Sequence, residues 1–304
     1  MLDTMFFGIF AMVMVGAGWT IWGYVMGKAP KLNIDVNALL FIFTGLAFAI
    51  STAAAFSMGV PQATLKGWLL GYVILVIGGF ANYFQLEIMS RAMQRGPNGI
   101  IWTIAQSGFI FPFAMGVICF NVPVYIYRAA GFILIIISLI MFGLSGKNDS
   151  SGKWKFLAMQ AFVVTGISQA LSNLPSYFVE AEAITPMWRT SGAAAGMVLG
   201  VVLVKIAELP KMVKVIRQEI KRWEVWKMAM LAGLSNVVFS FLFLYPGMNT
   251  LEKLGAGAIA YPVMVCSCLA VFELFAIICL REKRSPVQIA ALILCLCGAV
   301  GICL

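Results

Sequence analysis

The chain has no histidine and little charge of either sign. The missing histidine excludes imidazole acid–base catalysis, His-ligated metal sites and most haem sites. Only 11% of the 304 residues are charged and 62% are hydrophobic, whereas soluble domains carry about 25% charged residues. Such a chain cannot cover its surface with polar groups in water, so the composition predicts a polytopic membrane protein.

Other motifs are missing as well. Six of the seven cysteines lie from Cys266 onward and none forms a C-x-x-C pair, so we expect them to pack between helices rather than to bind a metal. No phosphate-binding loop occurs, so any transport must draw on a gradient rather than on bound ATP. The first apolar stretch has no basic flank and no A-x-A cleavage site, which predicts a retained helix rather than a signal peptide. We expect no cofactor and no metal.

Long apolar stretches occur ten times, each near the length of about 20 residues that crosses the lipid hydrocarbon as a helix. The fold class predicted is therefore an all-α polytopic membrane protein with ten transmembrane helices. The stretches lie near 4–27, 36–58, 67–93, 97–120, 124–144, 155–179, 186–206, 226–248, 255–280 and 285–303. The longest connection, ELPKMVKVIRQEIKRWEVWK, mixes basic and apolar residues and predicts an amphipathic segment on the membrane surface.

The basic residues predict the orientation. Seventeen of the 21 Lys and Arg fall in the odd-numbered loops, and the other four are Lys66, Arg128, Arg189 and Lys253. Because cytoplasmic loops carry an excess of Lys and Arg, the odd-numbered loops are predicted to be cytoplasmic and both termini outside. The same rule accounts for the net charge of +9 without a nucleic-acid partner. The predicted location is a bacterial-type inner membrane.

The two halves of the chain resemble each other. A polar linker, SGKNDSSGKW at 145–154, separates five apolar stretches in residues 1–144 from five in 155–304. YRAAGFILIIISLIMFGL resembles SPVQIAALILCLCGAVGICL, and RAMQRGPNGIIWTIAQSGFIFPF resembles NTLEKLGAGAIAYPVMVCSCLAV, at an offset of about 158–160 residues. Five helices is an odd number, so the second half enters the membrane from the other side. This predicts two inverted five-helix repeats, which are typical of secondary transporters.

The sequence also resembles the drug/metabolite transporter superfamily. The resemblance is carried by the five-plus-five arrangement, by GWTIWGYVMGKAP in the first helix and by LREKRSPVQIAALILCLCGAVGICL at the end. Lys28 and Lys31 after the first helix, the basic segment before the eighth and RAMQRGPNG favour its rhamnose and sugar-uptake branch. The resemblance implies a ten-helix transporter, and it carries over no particular substrate.

Polar and aromatic side chains at helical spacing predict a substrate site, because polar groups in lipid normally face the bundle interior. Trp19 and Trp22 are three residues apart, and Trp102 and Gln106 are four apart, so each pair shares a helix face. On the sixth helix, Gln169, Asn173 and Tyr177 form a polar stripe beside Pro175. The candidate substrate-binding residues are Trp19, Trp22, Asn82, Tyr83, Trp102, Gln106, Gln169, Asn173, Tyr177, Asn236 and Tyr261.

Two carboxylates in apolar stretches are candidates for proton coupling or gating. Glu273 lies eight residues before Arg281, about 12 Å along a helix, and has no basic residue near it in sequence. An isolated carboxylate of this kind is a candidate proton carrier, and pairing with a cation from another helix is the alternative. Glu87 lies four residues before Arg91 near the predicted cytoplasmic boundary, so we expect an ion pair there that acts as a gate or an anchor.

These patterns predict a secondary transporter, not an enzyme, that moves a small polar metabolite by alternating access and is coupled to protons. Trp, Asn and Gln with few charges favour a neutral, sugar-like solute. Aromatic residues near carboxylates leave amines, quaternary ammonium compounds or amino acids as the alternative. A membrane-embedded enzyme is the remote alternative, since such enzymes usually need clustered carboxylates or histidines.

Overall fold

The computed structural model describes residues 4–121, 123–144 and 153–303, and these residues form helices joined by short turns, without a β-strand. Most of the predicted linker, 145–152, lies outside the described residues. The helices are α1 (Met5–Lys28), α2 (Val36–Ser57), α3 (Leu65–Trp68), α4 (Ile74–Met93), α5 (Asn98–Gln106), α6 (Ile110–Phe120), α7 (Ile126–Leu144), α8 (Lys153–Asn173), α9 (Pro186–Val204), α10 (Leu209–Glu219), α11 (Trp223–Phe239), α12 (Tyr245–Lys253), α13 (Ala260–Ile278) and α14 (Pro286–Cys303).

Each of the ten predicted apolar stretches is helical. Within the described ranges, seven helical segments are long and apolar enough to cross a membrane, so the chain is a multi-pass helical membrane protein. They are Met5–Leu32, Val36–Ser57, Leu65–Met93, Asn98–Phe120, Pro186–Val204, Trp223–Lys253 and Ala260–Ile278. The apolar parts of α7 and α14 are shorter, over Ile126–Phe142 and Pro286–Ile302.

Local sequence explains where helices begin and change geometry. Thr4, Asp35 and Thr64 precede α1, α2 and α3, and each side chain accepts a hydrogen bond from a backbone N–H of the first turn. Leu69–Val73 joins α3 to α4 and Ser240–Leu244 joins α11 to α12, both as single π-helical turns. Such turns rotate the following side chains relative to a regular helix and often occur at functional sites.

Proline ends the helix that carries the predicted polar stripe. The α-helical part of α8 stops at Asn173, and Leu174–Tyr177 continues as a 3₁₀ turn. Pro175 lacks the N–H that the α-helical ladder needs, which explains the change. The break therefore separates Gln169, on the regular helix, from Tyr177, beyond it.

Helices from before and after the predicted linker pack against each other. α4 lies against α8 and α9, α1 lies against α12 and α13, α2 lies against α9 and α11, and α7 lies against α14. The core cluster contains large side chains from both parts of the chain, such as Phe43 and Phe272. The two parts thus interdigitate around one core instead of standing side by side.

The described parts of the odd-numbered loops lie at one end of the bundle, which we call the basic end. Arg222, before α11, donates to the carbonyl of Leu32 at 2.7 Å, and Glu282, before α14, accepts from the backbone N–H of Asn98 at 2.8 Å. The even-numbered loops meet at the opposite end, where Lys66 Nζ lies 2.6 Å from Glu180 Oε1. This hydrogen bond from Lys66 holds the pKa of Glu180 below its usual range.

The predicted amphipathic segment contains α10, which is attached to the basic end. Glu219, at its last turn, is buried and accepts a hydrogen bond from the backbone N–H of Asp35 at 3.2 Å. Arg222 pairs with Glu219 at 3.0 Å. These bonds fasten α10 to the connection between α1 and α2.

Two glycines allow α4 and α9 to cross closely. A Cβ atom at Gly196 would overlap the backbone carbonyl of Val76, and one at Gly79 would overlap the carbonyl of Ala193. Backbone atoms cannot move aside as a side chain can, so only glycine fits at these two positions. Small residues of this kind are the usual basis of close helix packing in lipid.

We predict that Gly196→Ala lowers stability by about 1–3 kcal/mol, because the added methyl overpacks the crossing. The measurement is the thermal unfolding midpoint of the purified protein in detergent. Gly45→Ala is the matched control, since no atom lies within 4 Å of its added Cβ and alanine is the better helix former. Equal midpoints for the two variants would show that the crossing tolerates a side chain.

Candidate functional site

A cavity of about 100 Å³, the central cavity, lies between helices from both parts of the chain. α1, α4 and α5 contribute one side, and α8, α9, α11–α12 and α13 contribute the other. The lining residues are Trp19, Trp22, Asn82, Gln85, Trp102, Gln106, Ser168, Gln169, Ser172, Ala193, Asn236, Ser240, Leu244, Tyr245, Met248 and Tyr261. Concave sites between helices of a bundle, with a few convergent polar groups, are typical binding sites.

Eight of the eleven predicted substrate-binding residues line the central cavity: Trp19, Trp22, Asn82, Trp102, Gln106, Gln169, Asn236 and Tyr261. Asn173 and Tyr177 instead line a neighbouring cavity, with the Asn173 Nδ2 donating to the Tyr177 hydroxyl at 3.4 Å. Tyr83 is fully buried and its hydroxyl donates to Asn37 Oδ1 at 2.9 Å. It is not among the residues that line the central cavity.

The described lining of the central cavity is polar but uncharged. Its polar groups are amides, hydroxyls and indoles. Ser240 Oγ lies 3.5 Å from Asn236 Oδ1, at the limit of a hydrogen bond, and Gln169 Nε2 donates to Gln106 Oε1 at 3.0 Å. A neutral polar solute can replace water here, whereas a full charge would find no opposite charge on the walls.

Trp102 closes the cavity towards the basic end. Its indole N–H donates to Cys268 Sγ at 3.2 Å, and its ring lies on Phe272 with 5.0 Å between ring centroids. Both aromatic side chains are almost fully buried. Trp102 therefore forms a fixed floor, and its N–H is already used within the protein.

Tyr245 was not predicted from the sequence. It lines the cavity directly after the π-helical turn Ser240–Leu244, where the helical spacing used for the prediction no longer holds. Arg189 fixes it, since the guanidinium carbon lies 5.8 Å from the centre of the tyrosine ring. Arg189 is itself buried and donates to the carbonyls of Ile184 and Ala181. The sequence feature that could have indicated Tyr245 is Pro246, which follows it within an apolar stretch.

A second cavity, of about 320 Å³, lies towards the opposite end. Tyr261 lines both cavities, so its side chain is part of the wall between them. Arg128 and Glu252 also line the second cavity, and the buried Arg128 Nε has no hydrogen-bond partner within the described chain. A second polar cavity thus adjoins the central cavity at Tyr261, on the side of the end that carries few basic residues.

The expectation that Glu273 is isolated is wrong. Its side chain is only 3% exposed and lies 2.9 Å from Arg284 Nη2. Arg284 also pairs with Glu282 at 3.0 Å, and Thr103 Oγ1 donates to Glu273 Oε1 at 3.0 Å. We call these four residues, Thr103, Glu273, Glu282 and Arg284, the Arg284 cluster. Glu273 thus pairs with a cation, as in the alternative, but this cation comes from the connection after its own helix and not from another helix.

The beginning of α5 completes the Arg284 cluster. Two carboxylates share one guanidinium, so hydrogen-bond donors are still needed. The backbone N–H groups of Asn98 and Gly99 donate to Glu282 at 2.8 and 3.1 Å, where the helix dipole also favours negative charge. A Cβ at Gly99 would overlap the Arg284 guanidinium, which explains the glycine in the PNG sequence.

The predicted ion pair between Glu87 and Arg91 is confirmed. Glu87 is almost buried, whereas the Arg91 side chain is largely exposed. Both residues line a cleft of about 490 Å³ at the basic end, together with Asp35 and Arg95. Glu87 therefore lies at the end of the bundle and does not line the central cavity.

Comparisons with known proteins show a shared fold. No family model matches the sequence. None of the curated proteins matches it either. Among the solved structures, 25 chains match. One of them, a crystal structure of a protein, matches with a TM-score of 0.59 and 14% identity over 96% of this chain and 95% of that one. At this identity the match shows a shared fold alone.

Proposed function

We propose that the protein is a secondary active transporter, not an enzyme, that moves a small neutral polar solute through the central cavity by alternating access. The observation that carries the proposal is the uncharged polar cavity in the middle of a bundle of apolar helices. Polar groups inside a membrane protein are costly, so they mark a pathway for polar substances.

The packing of the helices supports two inverted five-helix repeats. In such a repeat, α1 corresponds to α8, α2 to α9, α3–α4 to α11–α12, α5–α6 to α13 and α7 to α14. If corresponding helices are exchanged, the packing of α4 on α8 becomes that of α11–α12 on α1, and the packing of α5–α6 on α8 becomes that of α13 on α1. All of these contacts occur in the structure. The contacts of α2 with α9 and of α7 with α14 each join two corresponding helices, so the exchange leaves them unchanged.

The two π-helical turns agree with this relation, since each lies in the third long span of its half. The resemblance to the drug/metabolite transporter superfamily points to the same ten-helix arrangement. Inverted repeats place the substrate between the halves, where the central cavity lies.

The placement of the carboxylates favours a neutral solute over amines and quaternary ammonium compounds. The cationic alternative relied on Glu87 and Glu273. Each of them pairs with an arginine, and neither lines the central cavity. A cation in this cavity would lose its hydration without gaining a counter-charge.

The two ends of the bundle differ in a way that suits alternating access. Towards the basic end, Trp102, Phe272 and the Arg284 cluster close the bundle. Towards the opposite end, the second cavity adjoins the central one at Tyr261. The Arg284 cluster is therefore the candidate inner gate, closed in this conformation, and transport would require it to separate.

We predict that Asn236→Leu lowers the kcat/KM of solute exchange about tenfold or more, because it removes an amide from the cavity wall. The measurement is exchange of labelled solutes by proteoliposomes, with neutral polyols, monosaccharides, amino acids and choline. Asn249→Leu, at an exposed position outside the cavity, is the matched control and should behave as wild type. Failure of wild-type proteoliposomes to exchange any of these solutes would refute the proposed function.

We propose that protons drive the transport through Glu273. Protonation would neutralise Glu273 and leave Arg284 paired with Glu282 alone, which would weaken the gate. Glu273→Gln should abolish accumulation driven by a pH gradient and leave exchange without a gradient in place. Glu224→Gln, at an exposed carboxylate, is the control. Undiminished pH-driven accumulation in Glu273→Gln would rule out this role.

The charge asymmetry supports an orientation in the inner membrane with the basic end in the cytoplasm and both termini outside. We predict that, of the reporters fused to the C-terminus, only those that function on the outer side of the membrane are active. Alkaline phosphatase, which requires export, should be active, and a fluorescent protein that folds only in the cytoplasm should be dark. The reverse pattern would overturn the orientation.

A further inference from the structure

Among the described residues that line the central cavity, one has a buried side-chain atom without a hydrogen-bond partner. Gln169 is 6% exposed, and its Oε1 accepts no hydrogen bond within the described part of the chain. The other end of the same amide is fixed, since Nε2 donates to Gln106 Oε1 at 3.0 Å. The two side chains form an amide pair between α8 and α5.

An unsatisfied buried carbonyl is costly, and native proteins rarely keep one without a partner from outside the chain. Gln169 lines a cavity, so the partner can come from whatever occupies it. Amide oxygen and nitrogen are assigned from the hydrogen-bond network. This does not alter the conclusion. If both amides are turned over, the bond runs the other way, and the pair still offers the cavity one carbonyl and one NH₂ group.

We propose that the Gln106–Gln169 amide pair determines the substrate class of the central cavity. Its free carbonyl accepts a hydrogen bond from a hydroxyl of an uncharged solute that carries several hydroxyl groups. The inference rests on the proposed function, and it adds the chemical feature of the solute and the residues that recognise it.

The other cavity walls favour a polyhydroxylated solute over other neutral compounds. Polar groups face the cavity from separate helices: Asn82 on α4, Ser172 on α8, Asn236 on α11 and Tyr261 on α13. A planar amide has one polar edge and would meet only one or two of these groups. A polyol carries hydroxyls on several sides, and each hydroxyl both donates and accepts.

The aromatic walls fit the same solute. Trp19 and Trp22 line the cavity from α1, with their rings available to the C–H faces between hydroxyls. An ammonium group could donate to Gln169 Oε1, but no carboxylate is among the described lining residues. The cavity therefore matches a solute that is polar on many sides and carries no charge.

The experiment measures binding by thermal shift on the purified full-length protein in detergent. The probes are D-xylose, D-glucose and D-mannitol, with choline as the cationic probe and uracil as the planar amide. A bound probe raises the unfolding midpoint of the protein that selects it. We expect wild type to respond to at least one hydroxylated probe and to neither choline nor uracil.

The decisive variant is Gln106→Met/Gln169→Met. Replacing both partners by apolar side chains of similar shape is nearly neutral for folding. The midpoint without probe should therefore stay at the wild-type value or rise, while the affinity for the hydroxylated probe falls about tenfold or more. Gln218→Met, on the exposed face of α10, is the control and should keep the wild-type response.

A purely structural role of the pair gives the opposite result, which is a lower midpoint without probe and an unchanged affinity. That result, or a wild type that responds only to choline or uracil, would overturn the inference and leave transport standing. The proposed function fails separately, if proteoliposomes of wild type exchange no solute. In that case, loss of the probe response in the double variant would still identify the amide pair as a binding site.

Discussion

Inside lipid, a polar group must find its partners within the protein, and this constraint explains most polar contacts of the bundle. Arg189 donates to two carbonyls in the segment before α9, and the hydroxyl of Ser90 donates to the carbonyl of Met26 on α1. Arg284 joins two carboxylates, of which Glu282 also accepts from the first N–H groups of α5 and Glu273 from the hydroxyl of Thr103. Gln169 Oε1 is one of six buried side-chain atoms of the described chain without a hydrogen-bond partner, and among these six it is the one that belongs to a lining residue of the central cavity. Its place in the cavity wall makes it the candidate contact for the proposed solute.

The same constraint separates recognition from gating. Within the described chain, the charged side chains of the Arg284 cluster and of the Glu87–Arg91 pair lie at the basic end, away from the lining of the central cavity. In the proposed transporter, the cavity would recognise its solute with neutral groups, whose hydrogen bonds depend on geometry and change little with pH. Substitutions in the cavity can therefore change the solute without disturbing the charges that close the bundle.

The sequence predicts the cavity well where helices are regular. Trp19, Trp22, Trp102 and Gln106 follow from i, i+3 and i, i+4 spacing, and the structure brings each pair to the cavity. Tyr245 escapes because a π-helical turn shifts the residues after Leu244 out of that spacing. Arg284 escapes for another reason. Arg281 has a left-handed backbone with φ of 55°, which turns the chain back along α13 and returns Arg284 to Glu273, eleven residues earlier. Distance measured along a straight helix cannot reveal such a reversal.

Opening the basic end has a physical cost that the position of the Arg284 cluster reduces. Loss of one partner from a fully buried ion pair costs about 3–5 kcal/mol, because the other charge stays in a medium that solvates it poorly. The cluster lies beside the connection between α13 and α14, at the end of the bundle, so separation of the helices there admits water to both charges. Hydration then offsets much of the lost pairing. A buried pair in the middle of the bundle would have no such compensation, and a neutral solute with a few hydrogen bonds could not supply it. In the proposed transport, the placement of charge at the end and of neutral groups at the centre would thus allow an uncharged solute to accompany the opening of an ionic gate.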